Sequence, residues 1–320
     1  MANNELRIPL ARTTGSSSFI NACFNGINAF LGISYLTVPY ALSTGGWLSL
    51  MLFYLVAIMT FYTGILLKRC MEAADHPSIT SYLDIAGHAF GTKGRITVMI
   101  IMNLEMYLVA VGLLILEVDN LLSLYIVSFG GHPVIPPIYV SMRDRYQFSK
   151  VLLFSFVLAT LTYMSMAIVG YLMYGDRVES EITLNLPTSK VSARIAIYTT
   201  LVIPIARYAL VLTPIATAIE GGISENYKNK RAVRLFIRVA LLFSTAIVAY
   251  YFPYYESLMA IVGSIFVVSA SFLLPCLCYL KISDLNWGWN CEQIGIWGII
   301  LFGTFAGVLG TYSSISELVR

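Results

Sequence analysis

Residues 25–46 read NGINAFLGISYLTVPYALSTGG. The stretch is long and apolar enough to cross a bilayer, yet it carries Asn25, Asn28, a Gly32-Ile33-Ser34 break and a Pro39-Tyr40 step. A helix built only to cross has no use for them. A broken helix in hydrocarbon leaves backbone amides and carbonyls unpaired, and these are tolerated only where they are buried in protein or line a cavity. Residues 121–140, LLSLYIVSFGGHPVIPPIYV, repeat the peculiarity with Gly130, Gly131, Pro133, Pro136 and Pro137. Two Gly/Pro-interrupted spans at comparable places in two halves are the sequence pointer to a transporter binding site.

The rest of the composition agrees. Hydrophobic residues make up 58% of the 320 and charged residues 12%, more apolar surface than a soluble core can bury. Cys23, Cys70, Cys276, Cys278 and Cys291 lie in or beside apolar segments with no CxxC spacing, so neither a metal site nor a disulfide framework is expected. The first eighteen residues are polar and lack the order of a cleaved signal peptide. No catalytic triad, HExxH or phosphate-binding loop appears, and no basic cluster with interleaved aromatics points to nucleic acid. An enzyme is not expected.

Nine apolar segments can be read, at 19–42, 46–67, 96–117, 121–141, 151–174, 195–219, 233–253, 257–280 and 292–313, each near the ~20 residues a spanning helix needs. With the N-terminus in the cytosol, fifteen Lys and Arg fall on the cytosolic side, four on the other, and Arg207 alone inside a span. That asymmetry is a positive-inside signal. It also requires 121–141 to cross, since otherwise the Arg143–Lys150 and Lys228–Arg238 clusters would face the wrong side. The expected organisation is a cytosolic tail at 1–18, a transmembrane domain at 19–313 and a short non-cytosolic tail at 314–320. Within it, a cytosolic loop at 70–92 carries an interfacial helix, capped by Ser78 or Thr80, with Ile79, Leu83 and Ala86 on one face.

The first break has readable chemistry. Asn25 and Asn28 share a helical face, Gly26 and Gly32 permit close approach, and Pro39 cannot donate to the Tyr35 carbonyl. Freed amides at a half-helix N-terminus suit a carboxylate and freed carbonyls at a half-helix C-terminus suit an ammonium, so the break can hold a zwitterion. The alternative is a kink repaired by neighbouring helices.

The run FNGINAFLGISYLTVPYALSTGGW resembles the first span of the amino acid/auxin permease family, most closely its plant and fungal vacuolar amino acid transporter group. GGHPVIPPIYVSMRDRYQFSKVL at 130–152, YLMYGD at 171–176, TLNLP at 183–187 and YALVLTPIATAIE at 208–220 carry the same resemblance, which extends from Phe19 to Tyr312. It implies an all-α polytopic membrane protein with the leucine-transporter-like inverted-repeat fold, broken first and sixth helices, and substrate held between them. This sequence departs from the pattern after LILEVDNL, where two family spans are missing. The first repeat is thereby shortened to three helices, and the chain has about nine spans instead of eleven. Ser34 also stands where family members usually carry a second Gly.

The substrate-binding candidates are Asn25, Gly26, Asn28, Gly32, Ile33 and Ser34 of the first break, Gly130 and Gly131 of the second, and Tyr107, which the resemblance places near substrate. Arg207, Glu105 and His132 are the candidates for ion coupling. A charge inside a span costs about 2.5 to 3.5 kcal/mol on insertion scales and so faces a cavity or a partner. By resemblance, Arg207 lies where sodium-driven relatives place a hydroxyl ligand for the cation, and a guanidinium there can replace sodium. The alternative is a structural pair with Glu105 or Glu117. Glu105, the one carboxylate well inside a span, is a candidate proton carrier. His132 can titrate against an acidic lumen or cap the broken helix. Glu117 and Asp119 read as a solvated rim.

The resulting expectation is a secondary transporter of neutral amino acids, coupled to protons, in the vacuolar membrane or else the plasma membrane. Its partners are the amino acid substrate, protons and the lipid bilayer, with no cofactor. The rival expectations are a non-transporting amino acid sensor or truncated inactive isoform, and an auxin or other organic-acid carrier.

Overall fold

The computed structural model describes residues 15–73, 79–112, 121–179, 181–222, 231–251, 261–283 and 291–319. Hydrocarbon leaves an apolar chain few ways to satisfy its backbone, and the described residues are overwhelmingly helical. We number the helices α1 (Phe19–Phe30), α2 (Val38–Ala73), α3 (Tyr82–Gly112), α4 (Leu121–Ser128), α5 (Ile135–Ser141), α6 (Phe148–Tyr174), α7 (Val191–Gly222), α8 (Arg231–Tyr251), α9 (Val262–Ile282) and α10 (Cys291–Val319).

Six helices among the described residues are long and apolar enough to cross a membrane: 38–73, 82–111, 145–177, 231–251, 262–282 and 291–313. The chain is an integral, multi-pass membrane protein. The other three expected spans are the two broken ones, each half too short to cross alone, and α7, whose side chains at 201–207 lie outside the described residues.

Helix α2 runs through two expected segments with a break at Gly46, and α3 breaks at Gly91. Both glycines have φ above +60°, the left-handed region open to Gly at little steric cost. Before Gly91 lies the expected interfacial helix. Its cap differs from the expectation: Ser81 is the capping residue, its hydroxyl accepting from Asp84 N–H at 3.2 Å while the Asp84 carboxylate accepts from the Ser81 amide at 3.1 Å and its hydroxyl at 2.7 Å. This reciprocal pairing is a capping box with Asp in place of Glu. Ser78 lies outside the described residues.

Two packing units form. The large core gathers α1, α2, α4, α5 and α6, with α9, part of α10 and the first part of α3. A smaller cluster joins the last turns of α3 to α7 and α8 through Ala110, Leu212 and Ile215. Helix α9 packs on α2, α3, α4 and α10. Its residues 262–267 and 269–273 form wide π turns, and the Tyr82 hydroxyl donates to the Ala270 carbonyl there at 2.6 Å. Such turns mark places where a helix is adapted to a local task.

Candidate functional site: the two helix breaks

Helix α1 stops at Phe30, and Leu31 and Gly32 run extended, Gly32 at φ −90° and ψ −178°. A single 3₁₀ turn, Ile33–Leu36, then leads into α2. Pro39 sits in the first turn of α2, where an amide would have no helical partner anyway. The break therefore lies N-terminal to the proline and owes its shape to residues 31–36.

In the second broken span, α4 ends at Ser128. The Gly130 and Gly131 amides donate to Val127 and Phe129 carbonyls at 3.0 and 2.8 Å, and a 3₁₀ turn over His132–Val134 enters α5. Neither amide is open to a ligand. Space over Gly131 is filled as well: a side chain there would meet the Phe30 ring at 2.6 Å, so the two breaks touch.

The feature that joins them is a tyrosine of α6. Tyr163 is 0% exposed, and its hydroxyl donates to the Phe30 carbonyl at 3.0 Å, with the Ser128 carbonyl at 3.4 Å. The Gly32 amide donates to the same oxygen at 2.9 Å. Ser34 Oγ lies 3.0 Å away and, with the phenol proton directed to a carbonyl, acts as a second donor. One hydroxyl thus takes up an amide and a carbonyl released by the first break and reaches a carbonyl of the second. Around it stand the rings of Phe53, Phe129 and Tyr35, with Phe30 and Phe156 in contact 4.2 Å apart. These rings carry no charge.

Two further ties hold the broken spans together. His132, 0% exposed, places Nε2 2.8 Å from Thr63 Oγ1 and 3.1 Å from the Thr60 carbonyl of α2. Since Thr63 donates its own proton to Thr60 C=O at 3.0 Å, Nε2 is the protonated nitrogen and donates to both. At the other end, the chain before α1 pairs with the chain after α5: Ser17 N–H donates to Ser141 C=O and Arg143 N–H to Ser17 C=O, both at 3.0 Å.

The other candidate residues are dispersed. Asn25 and Asn28 are exposed on α1, while Gly26 is buried against Ser155 of α6. The side chain of Ile33 is outside the described residues, as are that of Arg207 and all of Glu117 and Asp119. Glu105 is buried in α3, its Oε2 without a hydrogen-bond partner among the described residues. Tyr107 packs against the smaller cluster and donates to Ser244 Oγ of α8 at 3.1 Å. On the side that the charge count assigns to the cytosol, Arg69 of α2 pairs with Glu292 of α10, and Tyr279 of α9 donates to the same carboxylate at 3.1 Å.

Sequence reading missed Tyr163. The available signal was a tyrosine in the middle of the apolar run LATLTYMSMAIVG. Belts and span ends explain most tyrosines, whereas a hydroxyl at mid-bilayer depth needs a buried partner.

Fold and site define a polytopic helical membrane protein whose two interrupted helices meet at one buried hydroxyl. The chain belongs to the family described as transmembrane amino acid transporter protein, whose profile matches residues 15–127 and 122–316. Among curated relatives, it is 37% identical to amino acid transporter AVT1I of Arabidopsis thaliana, over 95% of this chain and 96% of that one. Amino acid transporter AVT1J of the same plant is 38% identical, over 95% of this chain and 92% of the relative. AVT1E is 32% identical, with 74% of its length covered. The family and these relatives are transporters, not enzymes.

The alignment to AVT1I spans 391 positions but draws on 95% of 320 residues, about 304, which leaves about 87 positions without a residue here. The two profile matches overlap at 122–127, which puts the gap at the start of α4.

Proposed function

We propose that this chain moves neutral amino acids across the vacuolar membrane by alternating access, coupled to protons. The observation that carries the reading is the meeting of two interrupted helices at the Tyr163 hydroxyl, in a chain whose family and relatives are named as amino acid transporters. Backbone groups released from helical pairing, here the Gly32 amide and the Phe30 carbonyl held by a side chain, are what a zwitterion can use. The uncharged aromatic wall favours neutral side chains, because burying an unpaired charge there is costly. Asn25 and Asn28 are exposed at span depth, and amides there belong beside a polar crevice rather than lipid.

The moving body would be α1, α2, α4, α5 and α6, tied by Tyr163, His132 and the Ser17 pairing, rocking against α3, α7 and α8. Gly32 and Ser34 would meet substrate, with Asn25, Asn28 and Ile33 at the rim. Glu105 and Arg207 would carry the ion dependence. The transporter domain would occupy 19–313, between a cytosolic tail at 1–18 and a non-cytosolic one at 314–320.

The test is uptake of a labelled neutral amino acid mixture into proteoliposomes, with and without an imposed pH gradient, after size-exclusion shows a monodisperse protein. Flux that rises with the gradient is expected. A second reading, a sensor that binds without cycling, is favoured by the roughly 87 absent alignment positions. Binding with no flux from a folded sample would select it and refute transport.

A further inference from the structure

We propose that Tyr163 is a built-in stand-in for substrate: its hydroxyl holds the backbone groups of the first break, and an amino acid enters by displacing it. The inference rests on the breaks being the substrate site.

The geometry begins with what the break must satisfy. Leaving helical backbone at residues 31–32 strands the Gly32 amide and the Phe30 carbonyl, and a buried polar group without a partner is costly. In this structure one atom serves both: Tyr163 Oη accepts from Gly32 N–H at 2.9 Å and donates to Phe30 C=O at 3.0 Å. An α-amino acid presents the same pair of functions on one carbon, a carboxylate to accept from an amide and an ammonium to donate to a carbonyl. Phenol and zwitterion therefore compete for the same backbone groups.

The surroundings fit a plugged site. Tyr163 is wholly buried, and the Phe30 ring closes over Gly131 of the second break. Withdrawal of the hydroxyl would leave the space walled by the rings of Phe53, Phe129 and Phe156, which suits an apolar side chain. Because Oη also lies 3.4 Å from the Ser128 carbonyl, its displacement would free a group of the second break in the same movement. Occupancy by substrate would thus be reported to both broken helices at once. The seal also keeps both breaks dry while the carrier is empty.

Substitution Tyr163→Phe keeps the ring and deletes the competitor. The variant loses the bonds to Gly32 N–H, Phe30 C=O and Ser34 Oγ, and loss of the two that substrate would remake should tighten binding of L-leucine about tenfold relative to wild type, because each is worth roughly a few-fold in affinity. The empty variant should melt earlier, and L-leucine should raise its melting temperature by more than it raises that of the wild type. Both would be read by calorimetric titration and thermal unfolding of size-exclusion-purified protein. Unchanged or weaker L-leucine binding by a folded Tyr163→Phe, with wild type binding normally, overturns the stand-in and leaves the site reading intact. Absence of L-leucine binding by both proteins overturns the site reading itself. Should Tyr163→Phe fail to fold, a crystal structure of the wild type with L-leucine decides: Oη more than 3.5 Å from both Gly32 N and Phe30 O supports displacement, and Oη still bonded to both refutes it.

Discussion

Substitution Gly26→Ala separates a packing role from a substrate role at one predicted site residue. A Cβ at Gly26 would lie 2.5 Å from Ser155 Oγ and 3.0 Å from Ser155 Cβ, against ordinary carbon contacts of roughly 3.5–4.0 Å. The hydroxyl can turn away only by giving up its bond to the Cys23 carbonyl, 3.3 Å long, at a cost of about 0.5–1.5 kcal/mol. The Cβ–Cβ contact must still open by roughly 0.5 Å at a close-packed crossing of α1 and α6, and such overpacking costs about 1–3 kcal/mol. We expect a loss near 2 kcal/mol, or a melting temperature about 5 °C lower, in thermal unfolding of the detergent-purified protein. Ser155→Gly in the Gly26→Ala background should recover most of it, a coupling that a double-mutant cycle measures directly. A Gly26→Ala protein that melts within 1 °C of wild type and loses amino acid binding would refute the argument and place Gly26 in the ligand site.

Other expectations follow from the same contacts. His132→Ala removes the bonds to Thr60 and Thr63 and leaves a cavity, so unfolding should show a loss of about 2–3 kcal/mol; a loss below 0.5 kcal/mol would mean that the second break is not held by this ring. Glu105→Gln conserves shape at a buried carboxyl, and we expect retained size-exclusion behaviour with uptake that no longer responds to a pH gradient; a preserved response removes Glu105 from the coupling. Glu292→Gln should cost less than about 1 kcal/mol despite its conspicuous pair with Arg69, because both side chains remain about 40% exposed and solvent screens such pairs; a melting shift beyond about 3 °C would contradict this.

Much of the architecture was legible along the chain. Runs of apolar residues near 20 long are unmistakable, because hydrocarbon length is a one-dimensional constraint. Both breaks could be found from Gly32, Gly130 and Pro133, since departures from helix are encoded within a few residues, although Pro39, which the sequence also offered as a cause, sits in the first turn of α2. The capping residue was misplaced because Ser78, Thr80 and Ser81 are equivalent as caps, and only the reciprocal bonds with Asp84 choose among them.

What fills a break is a different kind of fact. Tyr163 lies 131 positions from the Gly32 amide it accepts from, and His132 reaches Thr63 across 69. No local pattern announces such partners. Tyr107 and Glu105 share a helix and neighbouring positions, yet one is directed to α8 and the other is buried without a described partner. Spacing could offer them together as candidates, but only helix packing could part them. Composition, span length and backbone punctuation are additive along the chain and were therefore readable in advance. The identity of the group that satisfies a stranded amide depends on which helices cross and at what depth, and that is set by three-dimensional packing alone.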